Sequence, residues 1–254
     1  MKKIVSLFIF LGVLLVLYNL PLGSSAKAES QNELTTDYDS LVELGILDEE
    51  IISREEWNEV LKESEEALKR REQDKLSQSR FLNARTTSYA TTGYTMQKGD
   101  IFITNGTSAG GLTGHAGIAV NSQSILHIAG YGSTTALVSY SEWKGLYVDE
   151  PGEWTKIYRI PNATLASQAA TWAYQNYWNS AGYLNQNIKP SYGFGGSLMS
   201  KDPTYCSKIV WQAYRTGLGT ASVIKTPVSL VLPYSLPDYF TDSYKPSLVG
   251  IYTK

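Results

Sequence analysis

Cysteine is all but absent from this 254-residue chain, and Cys206 is the only one. One thiol forms no intramolecular disulfide and no C-x-x-C pair, which excludes a disulfide-stapled scaffold and a paired-thiol redox site. Histidine is nearly as scarce, with only His115 and His127. The chain also has no Lys/Arg run of the kind that tracks nucleic acid, no Gly-rich phosphate loop between a strand and a helix, and no internal repeat. Nucleic-acid binding and nucleotide-dependent chemistry are therefore not expected, and no cofactor is implied.

What is present centres on the stretch around Cys206. Ile209, Val210, Ala213 and Gly217 recur at core-facing helical spacing, and Asp202 and Pro203 suit an N-cap and a first helical position. That places the thiol in the first turn of a helix, where unpaired N–H groups and the helix dipole favour thiolate. A lone cysteine is also often just a small buried hydrophobe. A cysteine nucleophile needs an imidazole partner, and that partner needs a polar group to fix its tautomer. One Cys and two His supply those roles with none left over. The same three residues also have the ligand number of a catalytic zinc site.

The chain opens with Lys2 and Lys3, an apolar run from Ile4 to Leu20, and the pattern Ala26-Lys27-Ala28. This predicts a secretory signal peptide over 1–28 and export to the exterior or the cell wall; a retained membrane anchor is the competing reading. Residues 29–80 carry 16 acidic and 7 basic side chains, against 8 and 12 over 81–254, so the net charge of −2 hides two opposed halves. Within an acidic segment over 29–82, Leu41, Leu44 and Leu47 suggest a short helix interrupted at Gly45. Ser53 with Glu56 reads as a capping box opening a second helix from Arg54 to about Gln73. This segment reads either as a cover docked on the rest or as a solvated helical appendage. A Ser/Thr/Tyr/Gly-rich linker over 83–95 leads to a strand-rich domain over 96–254.

In that domain, strands are expected at Ile101 to Thr104, Gly114 to Val120, Ser124 to Ala129, Leu137 to Tyr140, Trp154 to Ile160, Val228 to Leu232 and Leu248 to Tyr252. Asn162 to Asn179 reads as a helix capped by Asn162 or Thr164 and ended by Gly182. His115 and His127 fall on neighbouring strands and can meet if those strands are antiparallel and in register.

The segment from Gln97 to Tyr214 resembles the papain-like NlpC-type cell-wall peptidases, most closely their circularly permuted YiiX-like amidase branch. The resemblance is carried by Lys98-Gly99-Asp100-Ile101-Phe102, Gly114-His115-Ala116-Gly117-Ile118, Ile125-Leu126-His127, and the run from Pro190 to Gly196 followed by Tyr205-Cys206-Ser207. The histidines precede the cysteine, as in the permuted relatives and in the lecithin retinol acyltransferase group. The chain departs from that pattern at Lys208, where the amidases commonly show Glu, at His127, where they often place a carboxylate, and at the extra Ser191. The resemblance implies an α+β, permuted papain-like fold, with an antiparallel sheet packed on the cysteine helix. It implies Cys206 as nucleophile, His115 as base, His127 as the orienting third residue and Tyr192 as an oxyanion donor beside the Cys206 N–H. The expected function is a secreted cysteine amidase or peptidase, with a peptide or peptidoglycan-like substrate and possible cell-wall association. Two alternatives stand beside it. One is a thioesterase or acyltransferase acting on lipid, against which the lack of a membrane-active amphipathic stretch argues. The other is a non-catalytic wall-binding module.

Overall fold

The computed structural model describes residues 37–74, 93–106, 114–219 and 222–254. The apolar N-terminal run, most of the linker and most of the loop after Thr104 lie outside them. Every described residue belongs to one compact unit spanning 32–254. Among the described residues no helix is long and apolar enough to cross a membrane.

The chain is α+β. Six strands, β1 (Ile101–Thr104), β2 (His115–Ala119), β3 (Ile125–Ile128), β4 (Thr135–Val138), β5 (Trp154–Arg159) and β6 (Ser247–Thr253), form one sheet in the order β4-β3-β2-β1-β5-β6. Every neighbouring pair is antiparallel. Side chains alternate between the faces, and the sequence divides accordingly. Ile101, Ile103, Ala116, Ile118, Leu126 and Ile128 enter the main core, with α4 (Ala163–Tyr177) and α5 (Cys206–Thr216). Phe102, Ala119 and Ile125 enter a smaller core on the opposite face, under α3 (Tyr140–Tyr147). Helix α5 is buried from Cys206 to Tyr214, as a helix at the centre of a domain must be.

Several expectations are met residue by residue. Helix α2 (Arg54–Gln73) has the reciprocal Ser53/Glu56 capping box, and Asn162 caps α4 by accepting from the Leu165 N–H. Helix α1 (Tyr38–Glu43) stops at Gly45, whose φ of 66° is a left-handed conformation that glycine adopts cheaply.

Others are corrected. Helix α5 begins at Cys206, not at Pro203, and its N-cap Tyr205 makes no side-chain capping bond. The carboxylate of Asp202 is already engaged, accepting from the Ser191 N–H and hydroxyl at 2.9 and 2.5 Å, which ties down the approach to Tyr192. The stretch 228–232 forms no strand. Its polar backbone is satisfied by side chains instead: the Val231 N–H donates to the Tyr205 hydroxyl and the Ser207 hydroxyl donates to the Val231 carbonyl. The strand expected to reach Tyr140 ends at Val138, because Ser139 and Glu142 form a second capping box that starts α3. The acidic segment is not a solvated appendage. Trp57, Val60 and Ala67 of α2 are buried in the main core with Leu41, Ile46 and Leu47, the Phe194 N–H donates to the Ile46 carbonyl, and Arg70 and Arg71 pair with Asp238.

Candidate active site

The site is assembled at the entrance of β2. Gly114 precedes it with a φ of 67°, and a Cβ there would stand 2.5 Å from the ring of Tyr234, so the strand can start only from a residue without a side chain. His115 and His127 share the sheet face of Ala119 and Ile125, and the register Ala119↔Ile125, Ile118↔Leu126 makes them diagonal neighbours. His115 Nε2 lies 3.1 Å from His127 Nδ1, and both rings are buried.

Helix α3 covers this pair. Its Trp143 and Tyr147, four residues apart, fall on one helical face. Both stack on His115, at centroid distances of 5.4 and 4.6 Å, and both meet His127 edge-on. Gly117 makes room for that packing, since a Cβ there would come within 2.8 Å of the Trp143 ring and of Ile125. The Tyr147 hydroxyl also lies 3.1 Å from His127 Nδ1. The tautomers follow from using His115 as a base. Were His115 the base, its Nε2–H would donate to His127 Nδ1, which would leave Nδ1 of His115 free to take a proton and put the proton of His127 on its Nε2. That Nε2 is buried without a hydrogen-bond partner.

Cys206 arrives from the other side of the sheet. Its thiol donates to the Ser207 hydroxyl at 3.9 Å, and the backbone of Ala116, the residue after His115, with that of Ser207 and of Cys206 itself, lies near enough to favour the thiolate. Tyr147 lies within electrostatic reach of the same thiol. Helices α1 to α4 each begin with a side-chain cap on Asp37, Ser53, Ser139 or Asn162. Helix α5 has none, so no capping side chain occupies the N–H groups of its first turn. Tyr192 lines the same cavity and lies close enough to Cys206 for the thiol to influence its hydroxyl. Thus the structure pairs the two histidines, sets Cys206 against the start of β2 and places Tyr192 at the cavity wall. Sequence reasoning missed Tyr147 and Trp143. The Ser139-x-x-Glu142 box followed by aromatics at i, i+4 was the signal that could have found them.

Burial decides the resting charge state. It pushes the Cys206 thiol above its ordinary range despite the hydrogen bonds that oppose it, so the low-pKa thiolate expected from the helix dipole is corrected. Burial, with the neighbouring His127, holds His115 well below the ordinary imidazole value, and burial pushes His127 down to about 4. Shifts in these directions leave both the thiol and the imidazoles neutral at rest. Iodoacetamide labelling of the folded protein is accordingly expected to keep accelerating above pH 8.5; a rate that levels off below that pH would indicate a preformed thiolate.

Lys208 is fully buried at the far side of the helix, donates to the Pro203 carbonyl at 3.1 Å and is pushed down to about 8 by burial. It lines a second cavity rather than the thiol's own. Among the described residues no three His, Cys, Asp or Glu side chains are grouped as metal ligands.

In comparison with known proteins, residues 74–252 match the family described as lipoprotein N-acylation protein LnsA-like. That family lies within the papain-like and transglutaminase-like group of cysteine enzymes; the match supports this broader group and not the NlpC-type branch. An "Uncharacterized 30.3 kDa protein" of Bacillus thuringiensis is 34% identical over 277 residues, covering 99% of this chain and 100% of its own length. No solved structure matches.

Proposed function

This chain belongs to the LnsA-like lipoprotein N-acylation family, and on that footing we propose that it is a cysteine acyltransferase that moves a fatty acyl group from an ester lipid to an amine, the amine being the N-terminus of a lipoprotein. This reverses the order of the two enzyme readings drawn from the sequence, where the wall amidase came first and the lipid acyltransferase second. The observation that carries it is the family match. The apolar side chains that gather beside Cys206, among them Trp57, Val60, Phe194 and Leu230, agree with it.

The chemistry requires two half-reactions. In the first, His115 Nδ1 takes the Cys206 proton as sulfur attacks the ester carbonyl. The carbonyl electrons move onto oxygen, where the Cys206 N–H and the Tyr192 hydroxyl would receive them. The intermediate collapses to a thioester, and His115 returns the proton to the departing alcohol. In the second, His115 takes a proton from the incoming amine as its nitrogen attacks the thioester, and the sulfur leaves as thiol once that proton is handed back. His127 holds His115 in the tautomer that both steps need. Water in place of the amine would give hydrolysis. The export signal predicted over 1–28 would place the enzyme where lipoproteins and bilayer lipids are both within reach.

The test is intact-mass analysis of the purified chain after incubation with phospholipid vesicles. One acyl adduct is expected on Cys206, lost on treatment with hydroxylamine or on addition of a lipopeptide with a free N-terminus, and absent in Cys206→Ala. Release of fragments from purified cell wall, with no adduct from any lipid, would return the amidase to first place.

A further inference from the structure

We infer that the cavity lined by Lys208 binds a small phosphate ester, with the Lys208 ammonium on the phosphate and the Glu56 carboxylate accepting from a hydroxyl or amine at the ester's other end. The cavity measures about 200 Å³, and Glu56, Ser197, Lys208 and Ser229 make its polar wall. Pockets for drug-sized ligands run from about 300 to 1,000 Å³, so the occupant is a smaller group. Ile51, 45% exposed, and Val228, fully exposed, stand on the same wall and open it to solvent. Phe194, Tyr205 and Leu230 line both this cavity and the site of Cys206, so a ligand here sits beside the thiol's site and not in it.

Lys208 calls for an anion. It is 1% exposed, it donates to the Pro203 carbonyl at 3.1 Å, and its Nζ stands 5.8 Å from the centre of the Tyr205 ring. An ammonium has three donors, and a buried charge is ordinarily paired. Among the described residues no carboxylate forms an ion pair with this one. Asp202 acts on it from further off and is itself held by the Ser191 N–H and hydroxyl. Glu56 defines the rest of the ligand. Its Oε2 accepts from the Ser53 N–H at 2.8 Å and the Ser53 hydroxyl at 2.9 Å, bonds that favour the ionised form. A bare anion in this cavity would face that like charge. A phosphate ester of a small polyol or amino alcohol instead offers the carboxylate a donor while its phosphate reaches Lys208. The Ser197 and Ser229 hydroxyls can donate to the phosphate as well. Two sources carry this chemistry, the headgroup of a phospholipid and a free phosphate ester. The first rests on the acyl-transfer reading; the site itself does not.

The test is calorimetric titration of the purified chain with sn-glycerol 3-phosphate, which has no acyl group and so binds without catalysis. One saturable site is expected, with glycerol inert and inorganic phosphate weaker. Lys208→Met, which keeps a buried stem, should weaken binding about tenfold or more, the worth of a charge-assisted bond. Should that variant fail to fold, the unaltered chain supplies a second readout. Glycerophosphoglycerol is a diester whose single charge is constant between about pH 7 and 10. Its affinity should fall toward tenfold for each pH unit above about 8, because burial pushes Lys208 down to about 8. The other titratable groups on the wall keep their charge there: the Ser53 bonds hold Glu56 below the usual carboxyl range, and burial holds the Tyr205 hydroxyl above its own. Phosphatidylglycerol vesicles separate the sources. Pelleting with vesicles that glycerol 3-phosphate reverses assigns the site to a headgroup; glycerol 3-phosphate binding that vesicles leave unchanged assigns it to a free ester. No saturable binding, glycerol binding as well as its phosphate, inorganic phosphate binding as tightly as the ester, or a diester affinity flat through pH 8 would overturn the inference. A site that passes in a chain that never forms an acyl thioester would count against the acyltransferase reading and leave the phosphate site standing.

Discussion

Replacing His115 with alanine is expected to lower acyl transfer by about a hundred- to ten-thousand-fold, the usual worth of a positioned general base. The effect is large because, in the mechanism proposed above, both half-reactions begin with a proton moving to this ring, and the chain has no third histidine to replace it. His127→Ala should cost less. His127→Asn or His127→Gln should keep part of the activity, since an amide oxygen still accepts from His115 Nε2–H where alanine cannot. Tyr147→Phe is the finer probe of the same array. It keeps the stack on His115 at 4.6 Å and removes only the hydroxyl that reaches His127 Nδ1. A loss of roughly tenfold in kcat at constant KM is expected, about what 1 to 2 kcal/mol of hydrogen bonding supplies. Steady-state rates with a soluble ester, checked against near-ultraviolet circular dichroism for folding, give the comparison. Equal loss for Ala, Asn and Gln at position 127 would mean that position requires a charge, and an active His115→Ala would remove the base assigned here.

The second large effect is on stability. In the unfolded chain both histidines titrate near 6.5; in the folded one His127 is pushed down to about 4 and His115 is held well below its ordinary value. As pH falls below 6.5 the unfolded state takes up protons that the native state refuses, so stability is full above that pH and declines on acidification. His127 alone accounts for ~3 kcal/mol between pH 6.5 and 4, at 1.36 kcal/mol for each pH unit, and His115 adds to it. Urea midpoints measured from pH 8 to 4 should therefore be flat at first and then fall steeply, and His127→Asn should flatten the fall. Parallel curves for the two proteins would mean that the histidine is not the origin of the slope.

Much of this arrangement was legible in the sequence because it rests on local rules. Ser53 with Glu56 and Asn162 before Leu165 announce helix starts through bonds that span three residues, and alternation at 101–104 and 125–128 sorts each strand's side chains between faces. The same kind of box at Ser139 and Glu142 stood in the sequence unused, because the β-branched and apolar run before it read as a strand continuing to Tyr140. That one boundary hid α3, and with it the two aromatics that clamp the histidines. The depressed imidazoles were not legible at all, since desolvation comes from the whole packed environment. The position of α2 was obscured by its charge. Its exposed face carries the acidic excess, while Trp57, Val60 and Ala67, which decide where it docks, occupy a single stripe.

The uncapped start of α5 sets a limit on engineering this enzyme. A search for thermostable variants would be drawn to position 205, because a serine, asparagine or aspartate before a helix commonly adds about 0.5 to 2 kcal/mol. In the proposed mechanism part of the gain would be taken from the reaction, since a cap accepting from the Ser207 or Lys208 N–H would set its own lone pairs or charge beside the Cys206 N–H assigned to the oxyanion. Heat resistance and turnover would then compete for the same positive helix end, and variants selected for one should drift away from the other.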